Sequence, residues 1–427
     1  MLTMVFAVLL IVVLLLGTPV VFGLGFTSIS VIALQRGVAD IPFAVIGQRL
    51  IYGINNFPTL AIPCFLLVGT LMNEAGVTDR IFRFANSIVG HFHGGLGHAN
   101  VLASMIFSGM SGSAIGDIVA LGPLEMKAMT DAGFPRKFSA GITAASSLIG
   151  PIIPPSIPMV FYGVLASVSI GSLFIGGIIP GVLMGLSLMV WVYIKAKKHH
   201  YPKGQFQWRE VWESFTAAFV PLLTPVILIG GIWTGVFTPT EAAAVAIVYV
   251  VLMGLLYRRL TFAMFVDALR KTLRETSILL FILACGSLYG WVLVRLRVPQ
   301  LVLELFVSTI SSPLLVILVL VALFLVLGCF LSVVVIIQIT IPMITPILSQ
   351  YGIDPLYFGV IAIVTLMIGV LTPPFGNVLY GMIMITKMPF DEMVRAIMPP
   401  VIPILVVLAL LILFPPLITF LPSLALR

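Results

Sequence analysis

The sequence predicts an all-α polytopic membrane protein built from two inverted copies of one unit. Three observations carry that expectation. Of 427 residues, 60% are hydrophobic and only 9% charged, with a mean hydropathy of +1.22. A water-facing protein cannot hide so much apolar surface. The apolar residues also come in repeated stretches of spanning length, without the alternation of barrel strands. Finally, landmark residues of the first half recur 219 positions later in the second.

The remaining composition narrows the class. The excess of 22 Lys and Arg over 15 Asp and Glu reads as loops anchored on the inner side, not as a nucleic-acid surface. Cys64, Cys285 and Cys329 sit singly in apolar stretches, which argues against a disulfide framework. His91, His93 and His98 have no cysteine or carboxylate cluster beside them and read as an interfacial loop; all five histidines are expected in loops. A Walker motif is absent, so ATP is not the expected energy source. The first apolar stretch lacks a basic n-region and a small-residue cleavage pattern, and is read as a span, not a signal.

In chain order, the first half offers spans at 2–16, 18–35, 57–75, 139–165 and 172–194, with a Gly/Ser-broken hairpin at 97–126. The second offers 218–236, 240–257, 276–294, 358–386 and 398–421, with a hairpin at 315–348. Residues 42–54 and 262–275 mix charges with regularly spaced apolar residues, the pattern of amphipathic helices lying in the interface. The polar run KAKKHHYPKGQFQWRE joins the halves. The expected division is a first repeat at 1–200, a cytoplasmic linker at 201–217 and a second repeat at 218–427.

The repeat rests on matched punctuation. GPIIPP begins at Gly150 and GVLTPP at Gly369; the same offset of 219 relates Gly109 to Gly328, Ser113 to Ser332, Gly133 to Gly352 and Pro180 to Pro399. Five crossings per half make the second copy enter from the opposite side. Charge orients the whole. With both termini outside, Arg36, Arg49, Arg295, Arg297 and Arg427 lie outside and the other seventeen bases inside. The first hairpin then enters from the cytoplasm and the second from the outer side.

Non-helical backbone in hydrocarbon leaves costly unpaired N–H and C=O groups, so it survives only inside protein or beside water. Four breaks share a depth: Gly109–Gly116, Gly150–Pro158, Gly328–Ser332 and Gly369–Asn377. Inverted repeats bring such breaks together near the midplane, as in secondary transporters. Free carbonyls and hydroxyls suit a small hard cation such as sodium. Ser111, Ser113, Ser146 and Gly150 are expected to bound one such site; Ser332, Thr365, Gly369 and Thr372 bound its mate. Helix N-termini suit a carboxylate, with Ser113, Ser156, Gln338 and Asn377 as candidate contacts. The alternative for any isolated Gly or Ser is close helix packing. Pro154, Pro155, Pro373 and Pro374 hold the breaks open because they lack N–H groups. Asp117 is the acid with a functional reading: it senses a cation, carries a proton or caps free N–H groups. Glu125, nearer the hairpin mouth, is expected to be solvated. Glu241, at a helix start, simply favours the dipole.

The stretch GMSGSAIGDIVALGPLEMKAMTDAGFP, followed by GPIIPPSIPMVFYG and later GVLTPPFGNVLYG, resembles the large membrane subunit of TRAP (tripartite ATP-independent periplasmic) transporters over essentially the whole chain. The resemblance implies an elevator-type fold in the bacterial inner membrane, in which hairpins and broken helices slide against a scaffold. It implies sodium-driven uptake of an organic acid such as sialic acid or a C4-dicarboxylate. It also implies two partners: a periplasmic substrate-binding protein and a small four-helix membrane subunit, expected here as a separate chain. Ser111, Ser113 and Asp117 match the family's binding-region motif. The alternatives are a self-sufficient sodium–anion symporter, a structural subunit, or an intramembrane enzyme. The last is disfavoured because Asp117 has no apolar-embedded acidic partner and no histidine adjoins a candidate serine.

Overall fold

The computed structural model describes residues 2–425, and these are helical with connecting loops and no strand. Arg427, used above in the charge split, lies outside the described residues. The first half runs α1 (Leu2–Leu15), α2 (Val20–Arg36), α3 (Phe43–Ile54), α4 (Ala61–Glu74), α5 (Val77–Val89), α6 (Gly95–Ser111), α7 (Ala114–Asp131), α8 (Arg136–Ser147), α9 (Ile157–Ala166) and α10 (Ile170–His199). The second half runs α11 (Trp208–Trp233), α12 (Pro239–Leu256), α13 (Phe262–Arg295), α14 (Val298–Thr309), α15 (Pro313–Gly328), α16 (Val333–Gln350), α17 (Pro355–Leu371), α18 (Asn377–Thr386), α19 (Phe390–Leu413) and α20 (Pro416–Ala425). Among the described residues, seven helical segments, α4 counted with the turn from Phe57 that leads into it, are long and apolar enough to cross a membrane. Others, such as α8–α9 and α17–α18, would do so only as broken pairs.

The sequence offset reappears as geometry. The starts of α2 and α12, of α7 and α16, and of α8 and α17 are each 219 residues apart. Both hairpins (α6–α7, α15–α16) and both broken helices (α8–α9, α17–α18) therefore sit at matched places. Two short helices, α5 and α14, were not anticipated. In α5 the apolar Val77, Ile81, Phe82 and Ala85 are buried while Arg83 is exposed and pairs with Glu210 at 2.7 Å.

The halves part where proline intervenes. Pro58, with Asn55 and Asn56 before it, separates α3 from α4. The corresponding residues 274–277 contain no proline, and α13 continues unbroken for 34 residues. At 1.5 Å per residue it reaches about 51 Å, well beyond a hydrocarbon core of about 30 Å. Residues 262–275 are thus the opening turns of a long helix, not the separate interfacial helix expected. Residues 42–54 do form a helix, but α3 packs along α13. The Arg49 guanidinium lies 5.6 Å from the Trp291 ring centroid, and a Cβ on Gly53 would fall 2.5 Å from Ser287 Cβ. Two further boundaries differ. The expected span at 218–236 begins ten residues earlier, at Trp208, and the one at 398–421 is interrupted beside Pro415 and Pro416.

The second hairpin meets its broken helix through bare backbone. Gly328 and Gly369 face each other so closely that a Cβ on Gly328 would lie 2.7 Å from the Cα of Gly369. Gly328→Ala is therefore expected to destabilise the protein by about 1–3 kcal/mol through overpacking. Gly230→Ala, where nothing lies within 4 Å of the added carbon, should be neutral. Thermal unfolding in lipid nanodiscs compares the two.

Candidate functional site

Both hairpin tips are built to end one helix and start another within a few residues. In the first, Gly112 adopts φ +63 and its would-be Cβ falls 2.7 Å from the Pro155 carbonyl, so a side chain is excluded twice over. Ser113 is extended and caps α7, its Oγ accepting from Gly116 N at 3.3 Å. Ser156 caps α9 in the same way, accepting from Met159 N at 3.2 Å and donating to the Pro151 carbonyl. In the second hairpin Ser332 is the extended residue before α16, with no capping bond on its hydroxyl.

Each tip is stitched to a break. Ile157 N donates to Gly112 O at 3.4 Å, and Phe375 N donates to Cys329 O at 3.0 Å. Backbone groups freed by one interruption are thereby partnered by another.

These contacts frame a cavity of about 660 Å3. The first residues of four helices (α7, α9, α16 and α18) line it, together with Ser111, Ser113, Ser332 and Asn377. Partial positive charge and free N–H groups at four helix starts favour an anion there. The opposite wall belongs to α4 and α13, which add Thr70, Asn73, Glu74, Lys271 and Glu275. Lys271 is the one basic side chain in the lining, and it is held at 2.9 Å from both Glu74 and Asp267.

Asp117 lies just behind this cavity, 1% exposed, in the first turn of α7. Ser111 Oγ donates to its Oδ1, and Oδ2 has no hydrogen-bond partner. That free oxygen points at Gly150, where a Cβ would come within 2.5 Å of it and 3.1 Å of the Ser147 carbonyl. Ser111, Asp117 and Gly150 thus converge with a carbonyl beside them.

The other expected residues are placed less uniformly. Ser146 joins a different group: its Oγ donates to Asn100 Oδ1 at 2.8 Å. Thr365 is fully buried and Thr372 partly so, and each donates to its own helix, at 2.7 Å to Ile361 O and Ile368 O respectively. Gly369 packs on Gly328, apart from Ser332 in the cavity wall. Ser156 is sealed within its break. Gln338 is buried against Gly286 of α13, with Oε1 unpartnered, and is not in the cavity lining.

Two expectations are corrected. Glu125 is 1% exposed, not solvated, because α6 and α8 close over it. His98 and His199 lie in helices, and His98 is buried in the first turns of α6. Sequence reasoning missed the wall formed by α4 and α13. Asn73 and Glu74 fall at the end of the expected span 57–75, and Lys271 within the expected interfacial helix 262–275.

The profile described as "Tripartite ATP-independent periplasmic transporter, DctM component" matches residues 7–417. The chain belongs to this family. It is 44% identical to the sialic acid TRAP transporter large permease protein SiaM of Vibrio cholerae over 96% of this chain and 95% of that one. It is 34% identical to the C4-dicarboxylate TRAP transporter large permease protein DctM of Rhodobacter capsulatus, over 97% and 98%. Its fold also matches the crystal structure of the Alcanivorax borkumensis YdaH transporter, with a TM-score of 0.64 at 14% identity, covering 87% of this chain and 88% of that one. A family of transport permeases is not one of enzymes, and its large permease is a multi-pass membrane protein.

The cavity makes a labelling pattern. In a chain with Cys64, Cys285 and Cys329 replaced, Ser332→Cys and Asn377→Cys should react with a small hydrophilic maleimide. Ser156→Cys and Thr365→Cys, both fully buried, should react far more slowly.

Proposed function

We propose that the chain takes up a small organic carboxylate, such as sialic acid or a C4-dicarboxylate, driven by a sodium gradient across the bacterial inner membrane. The observation that carries this reading is the convergence of four helix starts on one cavity beside the buried Asp117. A carboxylate gains from each helix start by about 0.3–1 kcal/mol, more where water is excluded. Relatives named for sialic acid and C4-dicarboxylates are consistent with such an anion.

Sodium supplies a compact positive charge that oxygen donors can bind. Asp117 Oδ2, Ser111 Oγ and the backbone around Ser147 and Gly150 are the groups offered to the first ion. Ser332, in the cavity wall, is the weaker candidate for a second. The solute would sit between Ser113, Ser332 and Asn377.

Division of the cavity suggests the motion. Hairpins and broken helices form one side and α4 with α13 the other. In an elevator, the first group travels as a body against the second, and the pseudo-two-fold axis relating the inverted repeats relates its two end states. Both termini are then periplasmic. A periplasmic binding protein delivers the solute and a small four-helix membrane subunit completes the permease.

Proteoliposomes with a sodium gradient, given candidate binding proteins one at a time, test the reading. Uptake should require both sodium and one binding protein, and Asp117→Asn should lower it at least ~10-fold, about 1.4 kcal/mol of lost cation binding. Undiminished uptake without sodium would overturn the proposal. Uptake without any binding protein would favour the self-sufficient symporter instead.

A further inference from the structure

The first hairpin holds a second buried acid that the transport reading does not use. Asp117 and Glu125 are the only fully buried carboxylates among the described residues, and no Lys or Arg is buried with them. Asp117 at least lies in the first turn of α7, at the positive end of its dipole. Glu125 lies two turns further on, mid-helix and buried, while Lys127 and Asp131 of the same helix are exposed and not buried with it. An isolated carboxylate in such a place is heavily penalised unless a positive partner joins it.

The surroundings of Glu125 are oxygen-rich. Asn100 Nδ2 donates to Glu125 Oε2 and to Thr143 Oγ1, both at 2.7 Å. Ser146 Oγ donates to Asn100 Oδ1 at 2.8 Å, and Ser104 Oγ donates to Ser146 Oγ at 3.1 Å. The cluster spans α6, α7 and α8. Glu125 Oε1, fully enclosed, has no partner.

Packing does not require this cluster. At 219 residues further on, Asn100, Glu125 and Thr143 correspond to Val319, Ile344 and Ala362. The second hairpin and its broken helix thus pack without an acid or an amide at these places, although Ser146 corresponds to the buried hydroxyl of Thr365 and Val319 is 43% exposed. The buried acid and amide of the first half are therefore not what joins a hairpin to a broken helix.

We propose that Glu125, Asn100, Thr143 and Ser146 form a monovalent-cation site of the sodium class, separate from the one at Asp117. One carboxylate with neutral oxygens balances a single positive charge. A divalent ion would leave net charge in the hydrocarbon layer and ordinarily takes more carboxylates. The bound ion would tie both arms of the hairpin to α8, so that they move together.

Equilibrium binding of sodium-22 to the purified full chain in nanodiscs, with choline as the replacement cation, is the test. It requires no transport. Glu125→Gln should bind one sodium fewer than the parent and keep the ion that Asp117→Asn removes; the double variant should lose both. Thr143→Val, which keeps the acid and the side-chain shape, should weaken one class of site at least ~10-fold and decides the matter if Glu125→Gln does not fold. Unchanged stoichiometry and affinity in Thr143→Val overturn the proposal. So does a Glu125→Gln variant that loses a pH dependence of stability but keeps every sodium ion, for Glu125 then holds a proton. Failure of Asp117→Asn to lose an ion would count against the transport reading's first site, not against this one.

Discussion

Hydrocarbon does not solvate a peptide group, and each interruption of a helix inside it must find partners elsewhere. Four interruptions in this chain are satisfied largely by one another. Gly112 and Cys329 offer carbonyls to Ile157 and Phe375, and serine hydroxyls cap the new helix starts at Ser113 and Ser156. What remains unpartnered is directed into a shared cavity. The cavity is thus a consequence of how the breaks are reconciled: helix starts that must not face lipid face a shared cavity instead.

The duplicated plan also shows which features are structural and which are particular. Helices recur at a common spacing, and both hairpins lean on broken helices. The contacts differ. In the second half, Gly328 and Gly369 bring backbone against backbone, whereas in the first the space beside Gly150 is taken by the Asp117 carboxylate. Buried acids and an amide gather in the first half, whereas Val319, Ile344 and Ala362 stand where Asn100, Glu125 and Thr143 do and only Thr365 keeps the hydroxyl of Ser146. Symmetry of the backbone with asymmetry of the chemistry is what a carrier requires if ion and solute are to be handled by different groups within one moving body.

Much of the fold was legible because its signals are local. Double prolines, Gly/Ser runs and apolar length mark breaks and spans without reference to anything distant. The hairpins at 97–126 and 315–348 and the broken helices lie where that punctuation puts them. Continuity was harder to read. Charges in 262–275 resemble an interfacial helix, and only the missing proline, set against Pro58 in the first half, signals that α13 runs on. The site was legible in part. Ser111, Asp117 and Gly150 are drawn together by the two breaks that flag them, and Ser113, Ser332 and Asn377 meet in one lining. Thr365 and Gln338 do not join them, because a hydroxyl can be satisfied by its own helix and an amide can turn toward a neighbour, choices that one-dimensional spacing does not record. Glu125 looked solvated for a related reason: its partners Asn100 and Thr143 come from elements 25 and 18 residues away.

The central claim is that helix starts released by the four breaks jointly hold the carried anion. An experimental structure of the protein in a nanodisc, loaded with sodium and a transported carboxylate, tests it most directly. The account predicts solute density between Ser113, Ser332 and Asn377 with ion density beside Asp117. Solute bound at a distance from these helix starts, or breaks that stand apart and face lipid, would contradict it.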